Sequence, residues 1–120
     1  MRRGEVWWGK PGVPGLRQKR GPFLVVSHDA FNRDERYRKA LVVHLTTTKR
    51  SGGPYDWEVD IARGVAGLPE ASVAKCNEVY TIFKQDLEKQ IGGLPASVMS
   101  RIDRALATAL ALPFPVTATD

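Results

Sequence analysis

Between Leu41 and Arg50 the chain passes from an apolar run, Leu41-Val42-Val43-His44-Leu45, into Thr46-Thr47-Thr48 and then Lys49-Arg50. A β-branched run of that length reads as a buried strand, so the hydroxyls at its exit sit in defined positions. Hydroxyl donors followed by two cations suit an anionic ligand, above all a phosphate. The competing reading is structural: Thr is a good strand residue, and Lys49-Arg50 then begin a solvated loop. This stretch alone leaves both open.

The remaining chemistry-bearing residues narrow the field. His28, His44 and Cys76 do not have metal-ligand spacing. A lone cysteine excludes an intramolecular disulfide and fits a reducing cytoplasm, and its strand-like surroundings make Cys76 a small core residue. No apolar run approaches the roughly 20 residues that span a bilayer, and no signal-peptide core opens the chain. The net charge is +5 and unevenly spread: residues 1–50 carry twelve Lys/Arg against four Asp/Glu, and residues 51–120 carry six against nine. The basic half is the half with the threonine-rich exit, which favours a polyanionic partner, nucleic acid first. An ordinary solvated basic face is the plainer alternative.

The elements that must position these residues follow from patterning. With 120 residues the chain is expected to form one domain over 1–112, with 113–120 as a loose tail. Arg3-Gly4-Glu5-Val6-Trp7-Trp8 reads as an opening strand, and Gly9 to Gly21 as a basic loop. Phe23-Leu24-Val25-Val26 is apolar on both faces, hence a central strand, with Pro22 at its start. The segment from Ala30 to Lys39 reads as a polar connection holding a helical turn. Asp56 to Ile61 alternates strictly, with Trp57, Val59 and Ile61 inward. Ser72 to Cys76 and Glu78 to Ile82 make one long or two short strands. Lys84 to Gln90 reads as a short helix stopped by Gly92-Gly93. Pro95 opens a final helix whose apolar stripe runs through Val98, Ile102, Ala105, Ala109 and Leu112, widened by Met99, Leu106 and Leu110. Together these predict a mainly β fold with α: a small antiparallel SH3-like barrel or curled sheet with a C-terminal helix.

Ordered fragments along residues 3–112 resemble the MazF/PemK family of toxin endoribonucleases. They are Arg3-Gly4-Glu5-Val6-Trp7-Trp8, Pro22 to Asp29 with Asn32, Leu45-Thr46-Thr47, Gly67-Leu68-Pro69 with Ser72-Val73, Thr81-Ile82 with Lys84, and Ile102-Asp103 with Ala105-Leu106. The resemblance implies a homodimeric MazF/CcdB-type barrel, the toxin of a toxin–antitoxin system in the cytoplasm. It implies sequence-specific, metal- and cofactor-independent cleavage of single-stranded RNA, restrained by a small antitoxin with an acidic C-terminal segment. A related barrel poisons DNA gyrase instead, so two other readings stand beside the nuclease. One is a non-catalytic toxin on a protein target, the other a nucleic-acid-binding barrel with lapsed catalysis.

The family pairs an arginine just before the second-strand proline with a threonine after the third strand. Thr46 matches the threonine. The position before Pro22 is Gly21, and Arg20 lies one residue earlier; the family's Gly-Ser-Glu segment is replaced by Gly12 to Gln18. The resemblance therefore implies Arg20 and Thr46 as the catalytic pair. Lys19, Ser27, His28, Thr47, Thr48 and Lys49 are the expected RNA-binding residues, and no metal ligand is expected. Histidine is the side-chain type suited to carrying a proton near neutral pH, which makes His28 and His44 candidates, though His44 also reads as a locally paired strand residue. Trp7, Trp8 and Trp57 are candidates for base stacking or for the core.

Overall fold

The aromatic opening forms strand β1 (Glu5–Gly9), which pairs antiparallel with β2 (Gly21–Val25) so that Trp8 lies opposite Pro22. The structure, a computed structural model, describes residues 1–47 and 55–114. The other elements are α1 (Asp29–Arg33), β3 (Lys39–Thr46), β4 (Glu58–Ile61), β5 (Ser72–Phe83), β6 (Leu87–Gly93) and α2 (Ala96–Ala109). The strands form one antiparallel sheet in the order β4-β5-β3-β2-β1-β6. Among the described residues β4 and β6 remain edges, so the expected barrel is an open, curled sheet.

Strand alternation sends the apolar side chains to two layers. On one face Val6, Leu24, Val43, Leu45, Val59, Ile61 and Cys76 pack with Ile102 and Ala105 of α2. On the other, Phe23, Val25, Val42, Ile82 and Leu87 form a second cluster, flanked by Trp7, Leu16 and Tyr80. β2 and β3 are therefore apolar on both sides, as the unbroken runs in their sequences require. Ile102, fully buried, is a residue whose truncation to Ala would cost about 2–5 kcal/mol.

Two elements depart from expectation. Lys84 to Gln90 is not a helix: Lys84–Asp86 is a single 3-10 turn, and Leu87–Gly93 is the edge strand β6 on β1. Lys, Glu and Gln are good helix formers, but the partner-seeking ladder of β1 overrides that weak preference. Asp86 fixes the turn, its Oδ2 accepting from Gly12 N–H at 3.0 Å and its carbonyl from Lys10 N–H at 2.9 Å. The second departure is the length of α2, which ends at Ala109, where Ala111 (φ +57) lets Leu112 N–H reach the Ala107 carbonyl at 2.8 Å. Leu110 and Leu112 are exposed rather than part of the packed stripe.

Candidate active site

β2 and β3 run side by side with Phe23 opposite His44, so the start of β2 and the end of β3 lie at the same end of the sheet. There a cavity of about 350 Å³ is lined by Arg20, Gly21, Pro22, His44, Thr46 and Thr47, with Trp8 on one wall and Pro69, Glu70 and Ser72 on another. Arg20 and Thr46, separated by 26 positions in sequence, thus share one hollow.

The route by which Arg20 gets there is local. β2 begins at Gly21, so Arg20 precedes the strand and is not bound by the strand's alternation of faces. Gly21 has φ +135, a backbone that residues with a Cβ rarely adopt. An arginine at position 21 would be strained, and the arginine on the cavity wall is at position 20.

His44 is half-buried and forms part of the cavity wall. Its ring stacks on Phe23 at 4.7 Å, and its Nε2 lies 3.2 Å from the Arg20 carbonyl oxygen. A carbonyl only accepts, so Nε2 carries a proton. Burial lowers the His44 pKa below its ordinary value; the bond to Arg20 opposes this, and Lys19 reinforces it.

Lys19 lines a neighbouring recess with His44, Thr46, Lys75, Glu78 and Tyr80, its Nζ 5.5 Å from the centre of the Tyr80 ring. Thr47 is exposed at the cavity rim. Thr48 and Lys49 lie outside the described residues. Ser27 and His28 lie past the far end of β2, about 20 Å along the strand from Gly21. Ser27 is buried and exchanges hydrogen bonds with Asn32: Asn32 Nδ2 donates to the Ser27 carbonyl at 2.8 Å, and the Ser27 hydroxyl donates back to Asn32 Oδ1. His28 caps α1, its Nδ1 accepting from Ala30 N–H at 2.8 Å. Asp29 accepts from Arg3 N–H at 2.6 Å, which holds its carboxyl below the usual range, with Asn32 adding to the effect. The Ser-His-Asp…Asn motif is thus a knot that ties the N-terminus to α1.

Of the tryptophans, Trp8 alone among the three borders the cavity and is 39% exposed. Trp7 packs against the second core cluster, and Trp57 stacks on Tyr55 at 4.8 Å. Pro69, Glu70 and Ser72 had no assigned role from sequence, although Gly67-Leu68-Pro69 and Ser72 carried the resemblance. Among the described residues no cluster of three or more His, Cys, Asp or Glu side chains could hold a metal ion.

A family profile described as PemK-like, MazF-like toxin of type II toxin-antitoxin system matches residues 2–110. The chain belongs to this family. Endoribonuclease MazF6 of Mycobacterium tuberculosis is 32% identical over 113 residues, covering 92% of this chain and 96% of that protein. Endoribonuclease MazF4 of the same species is 33% identical over 94 residues, covering 78% and 82%. Among solved structures, a mycobacterial endoribonuclease in complex with its cognate antitoxin superposes with a TM-score of 0.76 at 30% identity, covering 96% of this chain and 99% of that one. The open six-stranded sheet with a C-terminal helix is thus a MazF-like toxin fold.

Proposed function

We propose that this MazF-like toxin cleaves single-stranded RNA, with Arg20 and Thr46 as its catalytic pair. The observation that carries the assignment is that Arg20 and Thr46 line one cavity at the end of the β2–β3 pair, with Trp8 beside them. The 32% identity to an endoribonuclease over nearly the whole chain supports the choice of reaction.

RNA carries its own nucleophile. The 2′-oxygen attacks the adjacent phosphorus as its proton leaves, and the bond to the 5′-oxygen breaks as that oxygen gains a proton. The products are a 2′,3′-cyclic phosphate and a 5′-hydroxyl end. The protein must align the groups and stabilise charge on the non-bridging oxygens. Arg20 clamps those oxygens through paired N–H groups, Thr46 donates its hydroxyl to the same phosphate, and Thr47 binds at the rim. Trp8 offers a face for a flanking base. Lys19, and Lys49 beyond the described residues, supply charge along the RNA strand, and Thr48, also beyond them, adds a hydroxyl.

The working unit is a homodimer of one toxin domain over 1–112, acting in the cytoplasm and neutralised by a small antitoxin; most of the segment 113–120 lies outside the described residues. Within the described residues no helix is long and apolar enough to cross a membrane. The test is incubation of purified protein with mixed cellular RNA in EDTA, followed by mapping of the ends. Cyclic-phosphate and 5′-hydroxyl ends support the reading. Intact RNA overturns it, and inhibited supercoiling by gyrase in that case points to a protein target.

A further inference from the structure

Arg20 lies outside the ladder that holds β2, and the glycine after it leaves the backbone free to turn. A guanidinium that must meet a phosphate within a fraction of an ångström needs a fixed root. We propose that His44 is the positioning residue that supplies it: its Nε2–H grips the Arg20 carbonyl and aims the guanidinium at a phosphate over Thr46. This rests on the reading of Arg20 and Thr46 as the catalytic pair.

Four observations converge on the role. His44 sits opposite Phe23 in the β2–β3 register, and the two rings stack at 4.7 Å with 28° between planes, which fixes the imidazole. Nε2 reaches the Arg20 carbonyl at 3.2 Å. Gly21, at φ +135, faces the ring: a Cβ there would stand 3.4 Å from Nε2, an ordinary contact, so the turn and not crowding calls for glycine. Finally, the β3–β5 pairing slips between Val43 and Leu45, at His44 itself. Such irregularities re-aim side chains.

His44 and Thr46 are two residues apart on β3 and so share a face. One strand therefore carries both the threonine and the post that orients the arginine. With Nε2–H given to the carbonyl, the only lone pair left on the ring is at Nδ1, so the part assigned to Nε2 is to hold Arg20 and not to take the proton of the 2′-hydroxyl.

The test compares His44→Phe, which keeps the stack and loses the donor, with His44→Gln, which keeps an N–H at similar reach. Both are measured in the full chain by single-turnover cleavage of an RNA with a mapped cut site. His44→Phe is expected to slow the saturating rate about 10- to 100-fold with little change in half-saturating RNA. His44→Gln should recover most of that rate. Added to Arg20→Ala, His44→Phe should cost nothing further, because it acts through Arg20. A wild-type rate for His44→Phe, no recovery by His44→Gln, or a full additional loss in the Arg20→Ala background would each overturn the proposal. Thermal melts show whether each variant folds. Imidazole ¹⁵N spectra of the wild-type protein report the bond without any cleavage: a proton on Nε2 near pH 7.5 is expected, and a proton on Nδ1 alone overturns it. If the wild type leaves RNA intact, the nuclease reading fails, while these spectra still decide the His44–Arg20 bond.

Discussion

At the scale of single residues, the cavity assigns unequal weights to three neighbouring polar groups. Arg20 and Thr46 line the hollow itself, whereas Lys19 lies in the adjoining recess beside the Tyr80 ring. Single-turnover cleavage should therefore fall by about two to four powers of ten for Arg20→Ala and Thr46→Ala, and only slightly for Lys19→Ala. A near-wild-type rate for Arg20→Ala would remove it from the site. Thr46 was legible as a strand-exit hydroxyl, but nothing in the sequence says that residue 20, just outside the strand, lines the same cavity. That depends on the φ of Gly21, a property visible only in the folded backbone. His44 was equally opaque, because a histidine inside an apolar strand has no pattern that separates a packed ring from a working one. Its burial gives a separate expectation for stability. The folded-state pKa lies below the ordinary value of 6.5, chiefly through burial. As pH falls through that value the unfolded chain takes up the proton first, so the fold loses stability toward acid. Melts at pH 7.5, 6 and 5 should show a steeper loss for the wild type than for His44→Gln, and parallel curves would refute the linkage.

At the scale of elements, α2 announces itself because its apolar residues recur at helical spacing, and Ile102 and Ala105 are indeed buried against the sheet. β4 was readable for the same kind of reason, with Val59 and Ile61 inward. β6 was not, since its Leu-Glu-Lys-Gln opening has helix-forming composition and its fate is decided by pairing with β1. Its two glycines, which looked like a helix stop, act differently. Gly92 lies where an added Cβ would stand 2.3 Å from the Ala66 carbonyl oxygen, and a Cβ on Gly67, in the same 3-10 turn Val65–Gly67, would stand 2.2 Å from the Ile91 carbonyl oxygen. The turn before β5 and the edge strand β6 are packed backbone to backbone, a contact that requires glycine on both sides. Gly92→Ala should therefore destabilise by about 1–3 kcal/mol, read as a lower denaturation midpoint. An unchanged midpoint would mean that the turn yields without cost. The turn carries Gly67 and leads into Pro69 and Glu70 of the cavity wall, so the same variant should also slow cleavage in the still-folded fraction.

At the scale of the whole molecule, the exposed apolar residues and the cations of the first loop each suggest a partner. Leu41 and Val79, on the adjoining strands β3 and β5, are 39% and 38% exposed, and Leu110 and Leu112 at the end of α2 are 62% and 56% exposed. A second copy would remove such surface from water. Light scattering should give twice the 13.3 kDa protomer mass at micromolar concentration, and a monomer would refute this. The loop from Lys10 to Arg20 carries four cations, Lys10, Arg17, Lys19 and Arg20, of which Arg20 lines the cavity and Lys19 the recess beside it. Within the loop Arg17 Nε donates to the Gly12 carbonyl at 3.2 Å, and Lys19 lies 5.5 Å from the centre of the Tyr80 ring. A disordered acidic segment of an antitoxin could occupy the cavity and recess by presenting carboxylates where RNA presents phosphates. Charge mimicry has a signature that apolar docking lacks. Affinity for a synthetic peptide of the antitoxin's C-terminal segment should weaken steadily as salt rises. Arg17→Glu and Lys19→Glu should each weaken it about three- to tenfold, roughly the energy of one ion pair. Arg104→Glu, on the exposed side of α2, should leave it unchanged. The same two loop variants should also weaken binding of a non-cleavable RNA, because one surface serves both ligands. Peptide affinity indifferent to salt and to both reversals would mean that the antitoxin grips the toxin elsewhere and excludes RNA without imitating it.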